Sequence, residues 1–352
     1  MFGAEFHGSI STDAGVSNKV CLAMDSSSPE TLREQVLKLF EHDFQDLDVQ
    51  QRPEMSVEDQ SALSFMTQTT RKEGYHFSMR LPWRDGQHVL NNNRAIAEKR
   101  LKPLKTRLLA NDDLKIKYID KIKDYIDSGH AAIAPERISE GKTRYLPHHC
   151  TGEKFRVVFD SAAKFRGRSL NSKLLQGPDL NNNLTGVLLR FRQEPVAFAA
   201  DIRFMFHQVL IENDDRDALR FLWWPDDDWE KPPVDFRMNV LPFGLTCSPS
   251  CAAFALQKAA RDNLPGVGDE AVQTVVRNFY VDDLLKSCPS VDVAKDMISE
   301  LLPLLESGGF VLTKFLASHQ EILESVPECD RVLKKTDLNI HDGSEKKTLG
   351  IV

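Results

Sequence analysis

Phe279-Tyr280-Val281-Asp282-Asp283-Leu284 is the stretch on which the reading of this chain turns. Two adjacent carboxylates follow the apolar run Val275-Val276-Arg277-Asn278-Phe279-Tyr280, and Leu284-Leu285 precedes Lys286-Ser287. The pattern predicts two strands joined by a hairpin with the acids at its tip, because strands alternate faces and a tight turn lets polar ends project. Neighbouring like charges repel unless something positive sits between them, and a divalent cation is the usual answer. Val196-Ala197-Phe198-Ala199-Ala200-Asp201 offers a third acid, on an apolar strand ending 81 residues before Asp282. An Asp-Asp pair alone is most often an exposed turn. The flanking strands and the matching strand at Asp201 favour a metal site.

At 352 residues, 41% hydrophobic and 28% charged, the chain has ordinary globular composition and the length for two or three subdomains. No apolar run approaches the roughly 18 residues of a membrane span, so no membrane partner is expected. Met1-Phe2-Gly3-Ala4-Glu5-Phe6 shows no basic region followed by an apolar stretch, hence no secretory signal. Six cysteines are scattered; Cys247 and Cys251 stand four apart with no second pair or spaced histidines, which argues against zinc. They read as buried thiols of a reducing compartment. The net charge of −7 is unevenly spread: residues 1–60 hold 12 acids against 4 bases, and the remainder 40 against 41. Residues 151–195 carry 8 Lys and Arg against 4 acids, which suits phosphate contacts, although a solvated face is the plainer reading.

In chain order, residues 1–28 are Ser/Gly/Asp-rich and predict a loose tail. Ser28-Pro29 opens a short amphipathic helix carrying Leu32, Val36, Leu39 and Phe40, and Ser56 opens another through Met66. Tyr75 to Trp83 alternates as a strand stopped by Pro82. Asn92 to Gly129 predicts one long helical region with Leu101, Leu104, Leu108, Leu109, Leu114, Ile116, Ile119, Ile122 and Ile126 spaced for burial. The adjacent His148 and His149 point opposite ways if extended, so Tyr145 to Cys150 reads as a structural loop rather than a metal site. Strands are predicted at Phe155–Asp160 and Phe310–Phe315, with a hairpin from Leu219–Trp224 to Phe236–Val240. Helices are predicted over Leu184–Phe191, Ser248–Ala260 and Ser290–Glu306.

These separated motifs, in this order, resemble the reverse transcriptase region of BEL/Pao-type LTR retrotransposon Pol polyproteins over roughly residues 50–352. Tyr280-Val281-Asp282-Asp283 resembles the catalytic box, and Asp201-Ile202 with Met205-Phe206 the first acidic motif. Leu241-Pro242-Phe243-Gly244-Leu245 with Ser248-Pro249 is similar to the segment beneath the incoming nucleotide. Arg156-Val157-Val158-Phe159-Asp160-Ser161, Gly177-Pro178 and Gly308-Gly309-Phe310 extend the match, as do Leu81-Pro82-Trp83 and Leu146-Pro147-His148-His149 upstream.

The resemblance implies an α+β right-hand polymerase: fingers and palm, with an antiparallel palm sheet backed by helices. It divides the chain into a tail over 1–28, a helical extension with part of the fingers over 29–150, and fingers and palm over 151–352, with the thumb missing. It implies two Mg²⁺ ions (or Mn²⁺) held by Asp201, Asp282, Asp283 and the Ile202 carbonyl. It further implies Arg156 and Lys154 against the nucleotide's phosphates, Phe206 excluding a ribose 2′-OH, and Phe243, Gly244, Tyr280 and Val281 lining the nucleotide site. Lys314 would protonate the leaving pyrophosphate, and Leu349-Gly350 would begin the primer grip. The partners implied are an RNA or DNA template, a primer and deoxynucleoside triphosphates, in a cytoplasmic virus-like particle. A catalytically inactive retroelement remnant that binds nucleic acid or protein is the alternative. An RNA-copying RNA polymerase shares the acids but avoids a bulky residue at Phe206.

Overall fold

A computed structural model describes residues 55–84, 89–137, 141–151, 155–262 and 266–332. The tail over 1–28, the helix carrying Leu32 to Phe40, Lys154 and the Leu349-Gly350 segment lie outside the described residues.

Helix α1 (Val57–Thr69) begins where the Ser56 hydroxyl accepts a hydrogen bond from the Asp59 N–H, as its N-cap pattern requires. Strands β1 (Arg71–Glu73) and β2 (His76–Met79) form a hairpin, so the strand predicted over Tyr75–Trp83 is shorter than its alternation suggests. The long helical region predicted from Asn92 is two helices, α2 (Arg94–Leu109) and α3 (Asp112–Asp127). Asn111 splits them: its side-chain oxygen accepts from the Leu114 N–H at 2.9 Å and starts a new helix. The buried stripe of α3 is Tyr118, Ile122 and Tyr125, spaced i, i+4, i+7. Leu109 on α2 and Ile116 and Ile126 on α3 fall off the buried faces and are exposed, against expectation; on α3 the tyrosines take inward positions beside Ile122.

Next come β3 (Ala131–Ile133), β4 (His148–Thr151), β5 (Arg156–Phe159), α4 (Leu184–Phe191), β6 (Val196–Ile202) and β7 (Val209–Ile211). Then follow α5 (Asn213–Arg216), β8 (Arg220–Trp223), β9 (Val234–Met238), α6 (Ser248–Arg261) and α7 (Asp269–Arg277). The described chain closes with β10 (Phe279–Tyr280), β11 (Asp283–Cys288), α8 (Val291–Ser307), β12 (Leu312–Ala317) and α9 (Gln320–Glu324). Tyr145–Cys150 is not simply a loop: its second half is β4, paired antiparallel with β5. His148 is buried there, hydrogen-bonded through Nδ1 to the Tyr118 hydroxyl at 2.6 Å and through Nε2 to the Leu222 carbonyl at 3.0 Å. Both ring nitrogens are occupied, which fits the structural role. Of the predicted buried thiols, Cys247, Cys251 and Cys288 are buried, whereas Cys329 is exposed.

The fold is mixed α+β, with small, mostly antiparallel sheets; β2 and β7 pair in parallel. The sheet that positions the acids is four-stranded and antiparallel throughout, in the order β10-β11-β6-β12. Along β6, Val196, Phe198, Ala200 and Ile202 enter the main core with Leu301, Leu304 and Leu305 of α8. Ala199 faces the other way and packs with Leu285 and with Val187 of α4. The two-residue period thus sends Ala197, Ala199 and Asp201 to the α4 face. Upstream of β10, Val275, Val276 and Arg277 belong to α7 rather than to a strand, correcting the strand-like reading of the run. Ala271, Thr274 and Val275 are the buried face of that helix, a helical spacing hidden by two adjacent valines.

Candidate active site

Asp201 occupies the penultimate position of β6, and its cross-strand partner is Asp283, the first residue of β11. Residues directly opposite in an antiparallel pair share a face, with Cβ atoms about 5 Å apart. Both carboxylates therefore leave the sheet on the α4 side, away from the main core. Tyr280 pairs with Asp283, leaving Val281 and Asp282 as a two-residue turn, and the Ile202 N–H donates to the Asp282 carbonyl at 2.9 Å. The acids stand at a hairpin tip, as expected, with Asp282 in the turn and Asp283 already in the strand. Burial first, and the Asp201 charge second, raise the Asp282 pKa above its ordinary value; Lys314 and Arg156 oppose the shift. Three carboxylate-bearing positions thus meet at one end of one sheet.

Val281 has φ 56°, a left-handed conformation that a β-branched residue rarely adopts. Its side chain packs on the main core, and Tyr280 packs on the small cluster with Val187, Ala199 and Leu285. Asn182 clamps the approach to the hairpin by donating to the Val276 and Phe279 carbonyls at 3.0 and 2.9 Å. Sequence reading passed over this side chain, since Gly177-Pro178 and the Asn run after it announce only a chain break.

Lys314 lies on β12, where the pairing with β6 shifts register between Thr313 and Leu316, and it too has a positive φ, 56°. Its ammonium donates to the Asp201 carboxylate at 2.8 Å. Thr313 pairs with Asp201, and its hydroxyl donates to the Asp201 carbonyl at 3.3 Å. Among the described residues no group of three or more His, Cys, Asp and Glu is drawn together as a metal cage. The donor set nonetheless fits a hard divalent cation: carboxylate oxygens at one sheet end, with Asp282 short of positive charge. The Lys314 contact with Asp201 is what such an ion would have to displace.

Beyond β6 the chain turns through Phe204, at φ 50°, into a 3₁₀ turn over Met205–Gln208, held by Gln208 donating to the Arg203 carbonyl at 2.8 Å. Phe206 sits on this turn, half-buried, its ring centroid 5.0 Å from that of Phe243. The Arg156 guanidinium lies 5.7 Å from the centre of the Phe243 ring. Gly244 has φ +113°, and a Cβ there would meet the Phe159 carbonyl oxygen at 1.9 Å, so only glycine fits. Asn171, also unforeseen, fixes this loop by donating to the Gly244 carbonyl and accepting from the Thr246 N–H, each at 3.1 Å. The structure therefore links Arg156, Phe243 and Phe206 in one row, and Asp201, Asp282, Asp283 and Lys314 at one sheet end. The charge of Arg156 reaches Asp282 and so joins the two sets.

No helix among the described residues is long and apolar enough to cross a membrane. No protein-family model matches the chain, and no curated protein matches it. The chain is similar to a solved structure of a foamy viral protease-reverse transcriptase in complex with double-stranded DNA, with 19% identity and a TM-score of 0.42. That match covers 57% of this chain and 31% of the viral one.

Proposed function

We propose that this chain is the fingers and palm of an RNA-directed DNA polymerase of the BEL/Pao retrotransposon type, transferring nucleotides to a primer 3′-OH. The observation that carries the reading is the register of Asp201 against Asp283, with Asp282 in the adjoining turn. Asp201, Asp282 and Asp283 would hold the Mg²⁺ ions, whose chemistry is to activate the 3′-OH and neutralise charge on the leaving pyrophosphate. Arg156, stacked on Phe243, holds the incoming triphosphate. Phe206 closes the floor under its sugar, and Gly244 lets the backbone approach. Lys314, released from Asp201, gives its proton to the departing pyrophosphate oxygen.

Primer extension on an RNA template, with deoxynucleotides and Mg²⁺, tests the reading on this chain and on a version extended past Val352. Incorporation that disappears in Asp282→Asn supports it. A second reading, a retroelement-derived binding module without catalysis, is favoured by one contact, the Lys314 ammonium seated on Asp201. A folded chain that binds template yet extends no primer, in either length, selects that second reading.

A further inference from the structure

His207, the residue after Phe206, is 1% exposed, yet among the described residues neither of its ring nitrogens has a hydrogen-bond partner. Buried polar groups are nearly always satisfied, and an apolar side chain would fill the same space without that penalty. Its neighbours are rings: the centres of Tyr125, His130, Phe204 and Phe243 stand 5.1, 5.0, 6.0 and 5.4 Å away. Phe243 meets it edge-on, at 86° between the ring planes. The other contacts of Phe243 are the Phe206 ring and the Arg156 guanidinium. His207 therefore extends that row inward, and a polar ring is the least expected member for the position.

The turn that carries His207 is strained as well. Phe204 leads into it with φ 50°, in the left-handed region, and its ring is 41% exposed. Lys121 of α3 lies 4.4 Å from the centre of that ring and 5.3 Å from the centre of Tyr125. The titratable and charged groups packed around His207 are Lys121, Asp124 and Tyr125 of α3 and His130 ahead of β3, with His76 of β2 behind His130 and Arg156 of β5 across Phe243. Asp124 acts on His130, whereas the charges that bear on His207 are those of His130 and Lys121, positive when present. Burial first, then these two, push the His207 pKa from 6.5 down to about 3.

We propose that His207 is a positioning residue which holds the Phe243 and Phe206 rings in place as a neutral imidazole and releases them on taking a proton. Acid thereby closes the nucleotide pocket to its substrate, a role that rests on the polymerase reading of the row. In the packed turn the ring refuses a proton; once the turn opens, the ring reaches water and titrates near its ordinary 6.5. Each unit of pH below 6.5 therefore favours the open form by up to about tenfold, until the packed ring titrates too. A nucleotide that binds only the packed form loses apparent affinity as that form is depleted. The acids at the sheet end keep their places, so a nucleotide once bound is transferred at an undiminished rate.

The test compares the full chain with His207→Met, whose adaptable apolar side chain fills the space and cannot titrate. Deoxynucleotide KM and kcat are measured between neutral pH and pH 5, together with amide hydrogen exchange over residues 204–209, corrected for the intrinsic rate. Both chains keep His148 and Asp282, so the acid response of those groups cancels in the ratio. The KM of the wild type relative to the variant should climb below pH 6.5, approaching about tenfold per unit, with a level kcat ratio. The turn amides should exchange faster in the wild type over the same range. A flat KM ratio, KM and kcat that move together, or equal exchange overturns the proposal. If neither chain extends a primer at any pH, the polymerase reading falls and exchange alone decides whether His207 opens the turn. His207→Phe takes the place of a methionine variant that does not fold; if neither folds, His207 is scaffold and the proposal is overturned.

Discussion

Two charge clusters of the protein solve opposite problems. Around Arg220, which is 1% exposed, Nη2 meets Asp217 at 2.9 Å and Nη1 meets Asp235 at 3.2 Å. Its Nη2 also donates to the Pro135 and Arg137 carbonyls, and Tyr145 donates to Asp235. Every charge there has an opposite within reach, the condition for keeping ions in a core. At the end of the acid-bearing sheet, Asp282 is disfavoured in its charged form by burial and by Asp201, and the cation paired with Asp201 is the exposed Lys314. A cluster that closes on itself is a part of the scaffold; one that keeps an excess of a single sign is waiting for something of the other.

The comparison breaks most plainly by removing one charge from each. Arg220→Met leaves Asp217 and Asp235 without their shared cation, and should cost about 3–5 kcal/mol in urea unfolding. Asp282→Asn removes repulsion, so the melting temperature should hold or rise while primer extension falls to background. If Asp282→Asn unfolds the protein, or Arg220→Met leaves it intact, the division between scaffold and site is wrong.

Acid should separate a satisfied buried group from a repelling one. Burial pushes the His148 pKa down from 6.5 to about 4, so the folded protein refuses a proton that the unfolded chain accepts. Its contribution is present above pH 6.5 and lost as pH falls toward 4, about 3 kcal/mol at 1.36 kcal/mol per unit. Asp282 has the other sign: its pKa is raised, so its penalty is present above the raised value and gone below 3.8. Urea midpoints across this range should fall for the wild type as pH drops below 6.5. Any stability advantage of Asp282→Asn at neutral pH should vanish in the same series. An advantage that persists at pH 3.5 would mean that charge repulsion is not its source.

The end of the sheet that bears the acids was legible because its code is local. Alternation fixed the face of Asp201, and the helix starts expected at Ser56 and Ser290 are in the structure, where each side chain accepts from an N–H group. What was illegible depended on distant partners. Val275 and Val276 read as strand because adjacent β-branched residues suit one, yet α7 packs Ala271, Thr274 and Val275 inward. Tyr118 and Tyr125 share α3's inner face with Ile122 and leave Ile116 and Ile126 outside, and Tyr118 stacks on Trp223 at 5.3 Å, over a hundred positions away. The clamps by Asn171 and Asn182 act on carbonyls, which a sequence does not display.

Phe206 sharpens the comparison at the level of the substrate. Its ring is half-buried on Phe243, so truncation should cost less than the roughly 3–5 kcal/mol of a fully buried phenylalanine. If it closes the pocket under the sugar, Phe206→Val should accept ribonucleotides with discrimination reduced on the order of a hundredfold, since exclusion is steric. Incorporation ratios and melting temperature measured on the same variant separate the outcomes. A folded Phe206→Val with unchanged sugar preference makes Phe206 a packing residue and returns it to the scaffold side of the divide.

The smallest effect is carried by the turn that presents Asp282. Val281 sits at φ 56°, where a β-branched side chain costs on the order of 1–2 kcal/mol over the right-handed region, and glycine is at ease. Part of that strain is returned by the packing of Val281 on the main core, and glycine loses more entropy on folding. Val281→Gly should therefore stabilise the fold by at most about 1 kcal/mol, while Val281→Ala keeps the strain and loses the packing. If strain serves to hold Asp282 against Asp201 and Asp283, the glycine variant should melt slightly higher and extend primers more slowly, because the turn no longer fixes the carboxylate. Stability and rate that move together in Val281→Gly would show instead that the turn is ordinary scaffold, with strain that presents nothing.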